Sequence, residues 1–327
     1  MDKLYKNIKK TLTSFTKLSI IQQLFIIFLL LTFLFIILNN FRKKHSYYEN
    51  FESSGDLLTN TNHFEIQRND GVYDDFYSKY YDAIHLNKKK NNYEIGKIID
   101  LDKKTNSTKI LDVGCGTGEH VNLLNSKNYD VIGLDQSKDM IKKAKSKYPD
   151  CNFKVGNILN NSLFDYQSFT HIYCLDRTIY QIKDKSKFFE NCYSLLSDGG
   201  YLVLNLVNRK KFKPYVNSDD NNVIYDPEKY GKHAEELIVK FDDSKEFISK
   251  YKKNSDYSNN DEDIYANIVE KFQNYDTNSI RKNELNLYVP TIKNIVELAK
   301  SKGFEFYKKT ERKEIKYNKE YVYIFKK

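Results

Sequence analysis

Ile110-Leu-Asp-Val-Gly-Cys-Gly-Thr-Gly118 is the stretch that decides the fold of this 327-residue chain. Its apolar residues around Asp112 are typical of the end of a buried strand. The glycines at alternate positions, Gly114, Gly116 and Gly118, let the backbone turn tightly and approach a ligand where any side chain would collide. A helical pattern begins directly after them. Strand, glycine loop and helix N-terminus in this order predict a nucleotide-type ligand at the carboxyl end of a parallel sheet.

The spacing of the loop separates two kinds of ligand. Dinucleotide-binding loops favour G-x-G-x-x-G, in which the third glycine packs against the helix. Here the spacing is G-x-G-x-G, and Asp112 stands two residues before the first glycine. An acid at that place suits a ligand that has a cationic amino-acid end and no pyrophosphate. The loop therefore favours S-adenosylmethionine (SAM) over a dinucleotide.

With this Asp-Val-Gly-Cys-Gly-Thr-Gly loop, the chain resembles the class I SAM-dependent methyltransferases from about Val72 to the C-terminus. The resemblance implies an α/β, Rossmann-like fold: a seven-stranded mixed sheet with helices on both faces. It also implies that Asp112 and the three glycines border the methionine part of SAM. In the family, an acid that ends the second strand holds the ribose hydroxyls, and a residue after the third strand contacts the adenine.

Further cofactor-binding positions follow along the chain. The apolar strand Tyr129–Asp135 ends in an acid, so Asp135 takes the ribose role, and a carboxylate can accept two hydroxyl hydrogen bonds at once. Asn157 follows the third strand where the family usually has aspartate, and its carbonyl can still serve the adenine amino group. The fourth strand, 170–175, ends at Leu175, which we assign to the cofactor site as well.

The loop after the fourth strand corresponds to the family's boundary between cofactor and methyl acceptor. Asp176 and Tyr180 are the candidate catalytic residues, because either could take a proton from an amine or hydroxyl acceptor. Arg177 is a third candidate for the reaction chamber. An ordinary polar loop is the alternative interpretation of these residues. The spacings of the cysteines and histidines match no zinc pattern, so no metal site is predicted.

The methyltransferase domain is predicted to span residues 71–327. Residues 208–290 interrupt the core with β-rich segments, and we interpret them as an antiparallel cap that sets substrate choice. Ahead of the first strand, two helices near 73–82 and 93–99 could place Tyr73, Tyr77 or Tyr80 over the cofactor. The remaining predictions for the C-terminal region are a helix over 291–301 closed by Gly303 and a hairpin of 304–307 with 320–325.

Leu18–Leu38 is a run of 21 residues without a charge. At 1.5 Å per residue, a helix of this length spans roughly 30 Å, the thickness of the hydrocarbon core of a bilayer. The run predicts a single transmembrane helix between a basic tail, 1–17, and a polar tether, 39–70. A cleaved signal peptide is disfavoured because the run is too long and lacks a small-residue cleavage site. A buried soluble helix is disfavoured because every face is apolar.

Two arguments about topology disagree. Five lysines precede the apolar run, while Arg42, Lys43 and Lys44 follow it, so the positive-inside rule mildly favours a translocated domain. SAM, however, is made in the cytosol. Since the charge difference is small, the prediction is a single-pass membrane protein whose catalytic domain faces the cytosol.

The distribution of charge bears on the partners. The chain carries a net charge of +9, but residues 1–45 hold eight Lys or Arg and one Asp, so only about +2 belongs to the rest. Most of the basic excess would therefore meet anionic headgroups, and a nucleic-acid partner is disfavoured. We expect methyl transfer to a small-molecule, lipid-like or protein acceptor at a membrane. The alternative is a catalytically silent SAM-fold module that recruits partners to a membrane.

Overall fold

The computed structural model describes residues 16, 18–35, 63–99, 107–209, 223–225, 236–254, 264–312 and 317–327. The chain divides into two compact units, Met1–Thr61 and Asn62–Lys327. The strands of the second unit are β1 (His63–Arg68), β2 (Lys109–Val113), β3 (Asp130–Asp135), β4 (Asn152–Val155), β5 (Phe169–Cys174), β6 (Leu196–Val207), β7 (Val223–Tyr225), β8 (Glu236–Lys240), β9 (Lys245–Lys253), β10 (Ala266–Asn274), β11 (Ser279–Leu287), β12 (Glu305–Arg312) and β13 (Tyr317–Lys326). Its α-helices are α1 (Asp75–His85), α2 (Lys88–Ile99), α3 (Glu119–Asn125), α4 (Lys138–Lys147), α5 (Thr178–Gln181), α6 (Lys185–Leu195) and α7 (Ile292–Ser301).

Seven strands form the central sheet in the order β12-β13-β6-β5-β2-β3-β4. The pairs from β6 to β4 are parallel, whereas β13 runs antiparallel to both β6 and β12. The prediction of a seven-stranded mixed sheet is therefore confirmed. The predicted C-terminal hairpin is confirmed as β12 and β13. The glycine loop leaves the end of β2, and Asp135 ends the neighbouring strand β3, so both lie at the same edge of the sheet.

Alternating residues of the central strands pack on opposite faces. On β2, Leu111 belongs to a cluster with Phe188 of α6 and Ile295 of α7, whereas Ile110 belongs to a second cluster with Val121 of α3. Because strand side chains alternate between faces, each face of the sheet needs its own helical cover. The expected helices on both faces are thus confirmed.

A second sheet has six strands in the order β1-β11-β10-β9-β8-β7. Its pairs from β7 to β11 are antiparallel and lie within residues 208–290, which confirms an antiparallel insertion there. We refer to these six strands as the cap sheet. Strand β10 has no clear alternating pattern in the sequence, because Val269 and Glu270 break the alternation of apolar and polar residues.

The first strand of the cap sheet differs from the sequence prediction. Residues 39–70 are predicted as a tether, yet His63–Arg68 forms β1 and pairs in parallel with β11. The pairing partner lies 216 residues further along the chain, from His63 to Ser279, so no local pattern reveals it. Its last two residues, Asn69 and Asp70, begin a short 3-10 helix, Asn69–Val72, and residues 39–62 lie outside the described residues.

In the N-terminal unit, residues 20–35 are helical. The last three residues of the predicted transmembrane run, 36–38, lie outside the described residues, as do most of the basic tail and the start of the tether. Among the residues that the structure describes, no helix is both long and apolar enough to cross a membrane.

Gly118 gives a test of the packing between the loop and the sheet. Its φ is +87°, and a Cβ there would lie 2.6 Å from Cζ of Phe153. We expect Gly118→Ala to lower the free energy of unfolding by about 2 kcal/mol or more. Alanine is strained in a left-handed backbone conformation, and its Cβ would also clash with the Phe153 ring. Urea unfolding followed by circular dichroism measures the change.

Gly96→Ala is the matched control, because Gly96 lies inside α2 and a Cβ there meets nothing within 4 Å. Alanine should stabilise the helix by about 0.5–1 kcal/mol. A Gly118→Ala variant as stable as the wild type would contradict the packing described for the loop.

Candidate functional site

The glycine loop is tied to the neighbouring strand by two hydrogen bonds. The backbone N–H groups of Gly114 and Cys115 both donate to the carbonyl of Leu134, at 2.7 and 3.1 Å. Gly114 has a φ of +72°, and a Cβ there would lie 2.5 Å from the side chain of Thr178. The loop therefore has no room for a side chain at its first glycine, as the sequence predicts.

Asp135 ends β3 beside this loop. Its Oδ2 accepts the N–H of Gly116 at 3.0 Å, and its Oδ1 accepts the N–H of Ser137 at 2.9 Å. Burial raises the pKa of the carboxyl, and these two hydrogen bonds oppose the rise. Each carboxylate oxygen has further acceptor capacity. Asp135 is thus fixed by the backbone while it faces a cavity.

Two cavities open along the loop. The larger, about 370 Å³, lies beside Asp135, Asn157 and Met140, and we call it the loop cleft. The smaller, about 100 Å³, lies between the far side of the loop and the cap sheet, and we call it the cap cavity. Gly114 and Thr178 line both cavities, so the two spaces meet at the first glycine. Tyr73, Tyr81, Gln181 and Leu285 also border both of them.

Asp112 lies on the side of the loop that borders the cap cavity. Its side chain is buried, and Oδ2 has no hydrogen-bond partner among the described residues. Burial raises the pKa of this carboxyl to about 6, although the nearby His120 opposes the rise. A buried acceptor without a donor costs free energy until a ligand supplies one. The cationic end of a ligand would satisfy this oxygen.

The other three predicted cofactor residues lie in three different places. Asn157 lines the loop cleft, where its amide donates to Gln136 and its carbonyl accepts the N–H of Leu159. Leu175 lines the cap cavity. Gly118 borders neither cavity and packs against Phe153, so its place in the motif is explained by helix packing.

Of the two predicted catalytic residues, the structure brings only Asp176 to a cavity. Asp176 and Arg177 border the cap cavity, and the Asp176 carboxylate pairs with Nζ of Lys90, a buried residue of α2. Lys90 also lies 3.6 Å from the buried Glu94. The Asp176 carboxylate is therefore held by a cation on the core side, which fixes the loop rather than leaving a free base.

The structure does not support Tyr180 as a proton acceptor. Its side chain is fully buried and lines neither cavity. The backbone N–H of Val207 donates to the Tyr180 hydroxyl at 2.8 Å, and burial raises the pKa of the phenol. On the single turn of α5, Thr178 and Gln181 face the cavities, and Tyr180 points to the core between them. Its role is structural.

The sequence analysis named some residues of the N-terminal segment that border the cavities and missed others, together with those of the cap sheet. Tyr73 and Tyr77 line the cap cavity, as one prediction allowed, whereas Tyr80 lines neither cavity and packs against Phe272. Tyr81, which was not predicted, borders both cavities. Glu270 of β10 also faces the cap cavity. The available sequence signal was an acid, Glu270, two residues from both Ile268 and Phe272. The pairing of the strands is needed to see that all three lie on the inward face.

Comparison with known proteins identifies the family. A family model described as "Methyltransferase domain" matches residues 104–303, which is more than half of the chain. The chain belongs to this methyltransferase-domain family. The matched residues contain the glycine loop, Asp135, the loop after β5 and the strands of the cap sheet from β7 to β11.

Two curated relatives of the methyltransferase domain illustrate the similarity. "Putative methyltransferase 235L" of Invertebrate iridescent virus 6 is 28% identical over 196 residues, which cover 58% of this chain and 63% of the viral protein. Glycine/sarcosine N-methyltransferase of Halorhodospira halochloris is 26% identical over 175 residues, which cover 48% of this chain and 64% of that enzyme. The chain thus spans less than two thirds of the length of either relative.

Solved structures share the fold of the methyltransferase domain. The CcbJ methyltransferase of Streptomyces caelestis superposes with a TM-score of 0.58 at 14% identity, over 78% of this chain and 97% of its own. The SAM-bound amino pentose methyltransferase CalS10 of Micromonospora echinaspora gives 0.54 at 17% identity, over 77% and 95%. At these identities the likeness concerns the fold alone.

Asp112→Asn tests the cost of burying the acid before the glycine loop. The carboxyl pKa is about 6 in the folded protein against an ordinary aspartate value of 3.8, so its contribution to stability is lost as pH rises from about 4 to about 6. Asparagine carries no charge to bury. We therefore expect Asp112→Asn to be more stable than the wild type at pH 7.5, and this gain should exceed the gain at pH 4 by at most about 3 kcal/mol.

Urea unfolding at the two pH values measures this difference. Asp130→Asn is the control, because Asp130 is an exposed acid at the opposite end of the neighbouring strand β3. An effect of Asp112→Asn that is equal at both pH values would show that the carboxyl is not desolvated.

Proposed function

We propose that the protein is a SAM-dependent methyltransferase whose acceptor enters the cap cavity. The observation that carries this proposal is the meeting of two cavities at Gly114, one beside Asp135 and one below the cap sheet. A transfer between two bound molecules requires such adjacency, because holding both reactants in line supplies much of the rate enhancement. The family membership supports the same activity.

The residues of the site fit SAM. The backbone approach at Gly114 and the unpartnered Oδ2 of Asp112 suit the methionine part with its ammonium group. Asp135, held by two backbone N–H groups, suits the ribose hydroxyls. Asn157 stands in the loop cleft where the adenine would lie. These assignments follow the pattern of the class I methyltransferases.

The chemistry divides between the cofactor and the chain. Bound SAM supplies a methyl group that its sulfonium centre already activates, so the protein needs mainly to align the acceptor and exclude water. The cap sheet closes one side of the cavity with the buried side chains of Leu237, Phe247 and Ile268. Arg177 borders the same cavity and adds a positive charge at its edge.

The size of the cap cavity favours a small acceptor or a single protruding group. Its volume is about 100 Å³, which suits a small molecule, a lipid headgroup or one protein side chain. The relative from Halorhodospira halochloris is named for glycine and sarcosine, both small molecules. A silent module that only recruits partners is the competing function, and turnover separates the two.

We also propose that Leu18–Leu38 anchors the enzyme in a membrane, with the domain on the cytosolic side. The support is the length of the uncharged run and the exposure of large apolar side chains along helical residues 20–35, such as Ile21 at 80% and Phe35 at 69%. Apolar side chains in such a row are favourable only against lipid or a partner. The supply of SAM in the cytosol supports the orientation.

Asp135→Ala tests the cofactor site. Loss of the carboxylate removes both the ribose acceptor and the anchor of the Gly116 N–H, so we expect SAM affinity to fall at least about a hundredfold. Isothermal titration calorimetry on the full chain measures the affinity. Asp130→Asn, at the exposed start of the same strand, should bind SAM like the wild type.

Unchanged affinity in Asp135→Ala would refute the ribose assignment. A folded wild type that does not bind SAM would refute the enzyme proposal itself. SAM binding without methyl incorporation into any of a panel of amines, lipids and proteins would favour the silent module.

Deletion of residues 1–45 tests the anchor. We expect the full chain to stay with membranes after carbonate extraction at pH 11 and the shortened chain to be released, because only an inserted helix resists that treatment. A matched variant keeps the length but carries Leu29→Lys and Leu30→Lys, and it should be released too. A variant with Lys3, Lys6, Lys9 and Lys10 changed to Gln should be retained.

Retention of the shortened chain would contradict the proposed anchor. For the orientation, protease added to the cytosolic side of sealed membranes should digest the domain. Protection of the domain in that assay would place it on the translocated side.

A further inference from the structure

One acid interrupts an apolar face of the cap sheet. On β10, Ile268, Glu270 and Phe272 are all buried and share one face of the strand. The cross-strand neighbours of Glu270 are Ser249 on β9 and Asn283 on β11, and both are buried. Directly paired residues of an antiparallel sheet point to the same side. A polar row therefore crosses the middle of a face that is otherwise mainly apolar.

This face forms the wall of the cap cavity. Glu270 lines the cavity together with the apolar side chains of Leu237, Phe247, Leu285 and Leu287. Glu270 is only 2% exposed, so any group that reaches its carboxylate must enter the cavity. The opposite side of the cavity is the glycine loop, with Gly114, Cys115 and Asp112.

The hydrogen-bond partners of Glu270 are neutral. The hydroxyl of Tyr77 donates to Oε1 at 3.0 Å, and the side-chain amide of Asn283 donates to Oε2 at 3.1 Å. Among the described residues, no Lys, Arg or His lies within 4.0 Å of its carboxylate. Arg281, on the same strand as Asn283, is held by Asp74 at 2.7 Å.

A buried carboxylate without a cation is costly, and its surroundings reflect this. Burial raises the pKa of Glu270 to about 7, against the opposing influence of the two hydrogen bonds and of Arg177 and Arg281 at longer range. Helix α1 also places His85 near Glu270, because the His85 ring lies 2.9 Å from the Tyr77 hydroxyl that donates to Glu270. Burial and the charges of Arg177 and Lys90 lower the His85 pKa to about 3, so His85 is neutral and supplies no cation.

We propose that Glu270 binds the ammonium group of the methyl acceptor, and that the acceptor is therefore an amine. The inference rests on the proposed function, because it takes the cap cavity as the acceptor site. An ammonium group would give the buried carboxylate a cation partner. The nitrogen can accept a methyl group only after this ammonium gives up a proton, and the Glu270 carboxylate that binds it can take that proton. The apolar walls of the cavity would contact the carbon skeleton of the acceptor, and the Glu270 carboxylate would select a positively charged group.

Other acceptor classes fit this arrangement less well. A neutral hydroxyl would gain a hydrogen bond but leave the buried charge uncompensated, whereas a charge-assisted bond is roughly twice as strong. An anionic acceptor would be repelled by the Glu270 carboxylate in the cavity wall. Discrimination between an amine and the alcohol of the same shape therefore isolates the role of Glu270.

The test compares such pairs with the full chain saturated with S-adenosylhomocysteine at pH 8.5. The probes are n-butylamine, benzylamine and phenethylamine, each set against the alcohol of the same skeleton, with dissociation constants from NMR titration. We expect the wild type to bind at least one amine about tenfold or more tightly than its alcohol. In Glu270→Gln this preference should disappear while alcohol affinity and S-adenosylhomocysteine affinity stay within about twofold.

Glu246→Gln is the matched control. Glu246 is a buried glutamate on β9 that points to the opposite face of the cap sheet from Phe247 and lines neither cavity. This variant should keep the amine preference. Thermal unfolding of both variants shows whether any loss comes from a damaged fold.

A second variant gives a readout that a purely structural Glu270 would not move. In the wild type the amine preference should fall as pH drops through about 7, where the carboxyl takes up a proton. Tyr77→Phe removes one donor to the anion, so the midpoint of this fall should shift to higher pH.

The outcomes separate the two proposals. A wild type that binds S-adenosylhomocysteine but prefers no amine over its alcohol, or a Glu270→Gln variant that keeps the preference, overturns the assignment of Glu270 alone. A folded wild type that fails to bind S-adenosylhomocysteine overturns the proposed function.

Discussion

The carbonyl of Leu134 is the contact on which the site depends. It accepts the N–H groups of Gly114 and Cys115, so the glycine loop is fixed to the end of the neighbouring strand β3. The same attachment brings the Gly116 N–H onto Asp135. Because β2 and β3 are parallel and in register, the loop and the acid meet at one edge of the sheet. The sheet thus sets the positions on which both cavities are built.

Two buried acids in the wall of the cap cavity cost stability in the free protein. Asp112 and Glu270 have carboxyl pKa values raised to about 6 and about 7 by burial, on opposite walls of one cavity. Well-packed apolar side chains of similar volume would cost less in the free protein. The acids make sense if cationic groups arrive with the ligands. On this argument the ligand-free domain is strained electrostatically, and binding relieves that strain.

The parts of the structure that could be predicted from the sequence are those specified locally. The loop, Asp135 and the C-terminal hairpin follow from short patterns whose residues lie next to one another in the chain. The pairing of β1 with β11 could not be found in this way, since it joins segments more than two hundred residues apart. Glu270 was missed for a related reason: only the cross-strand register shows that it lies on the inward face beside Ser249 and Asn283.

The error on Tyr180 has a different cause. The family resemblance places the loop after β5 at the reaction chamber, and Asp176 and Thr178 of this loop line the cap cavity. The loop closes into one helical turn, however, and residues three apart on a turn share a face. Thr178 and Gln181 take the face toward the cavities, so Tyr180 must point to the core, where its hydroxyl accepts the Val207 N–H. A resemblance locates the segment, but the helical turn decides which side chains are used.

Helix α1 connects the cofactor side of the site with the acceptor side. Its Tyr77 donates to Glu270 of the cap sheet, while Asp82 near its other end accepts the hydroxyl of Thr117 in the glycine loop. Tyr81, between them, lies along both cavities and faces Gly116. A ligand in either cavity therefore contacts the same helix.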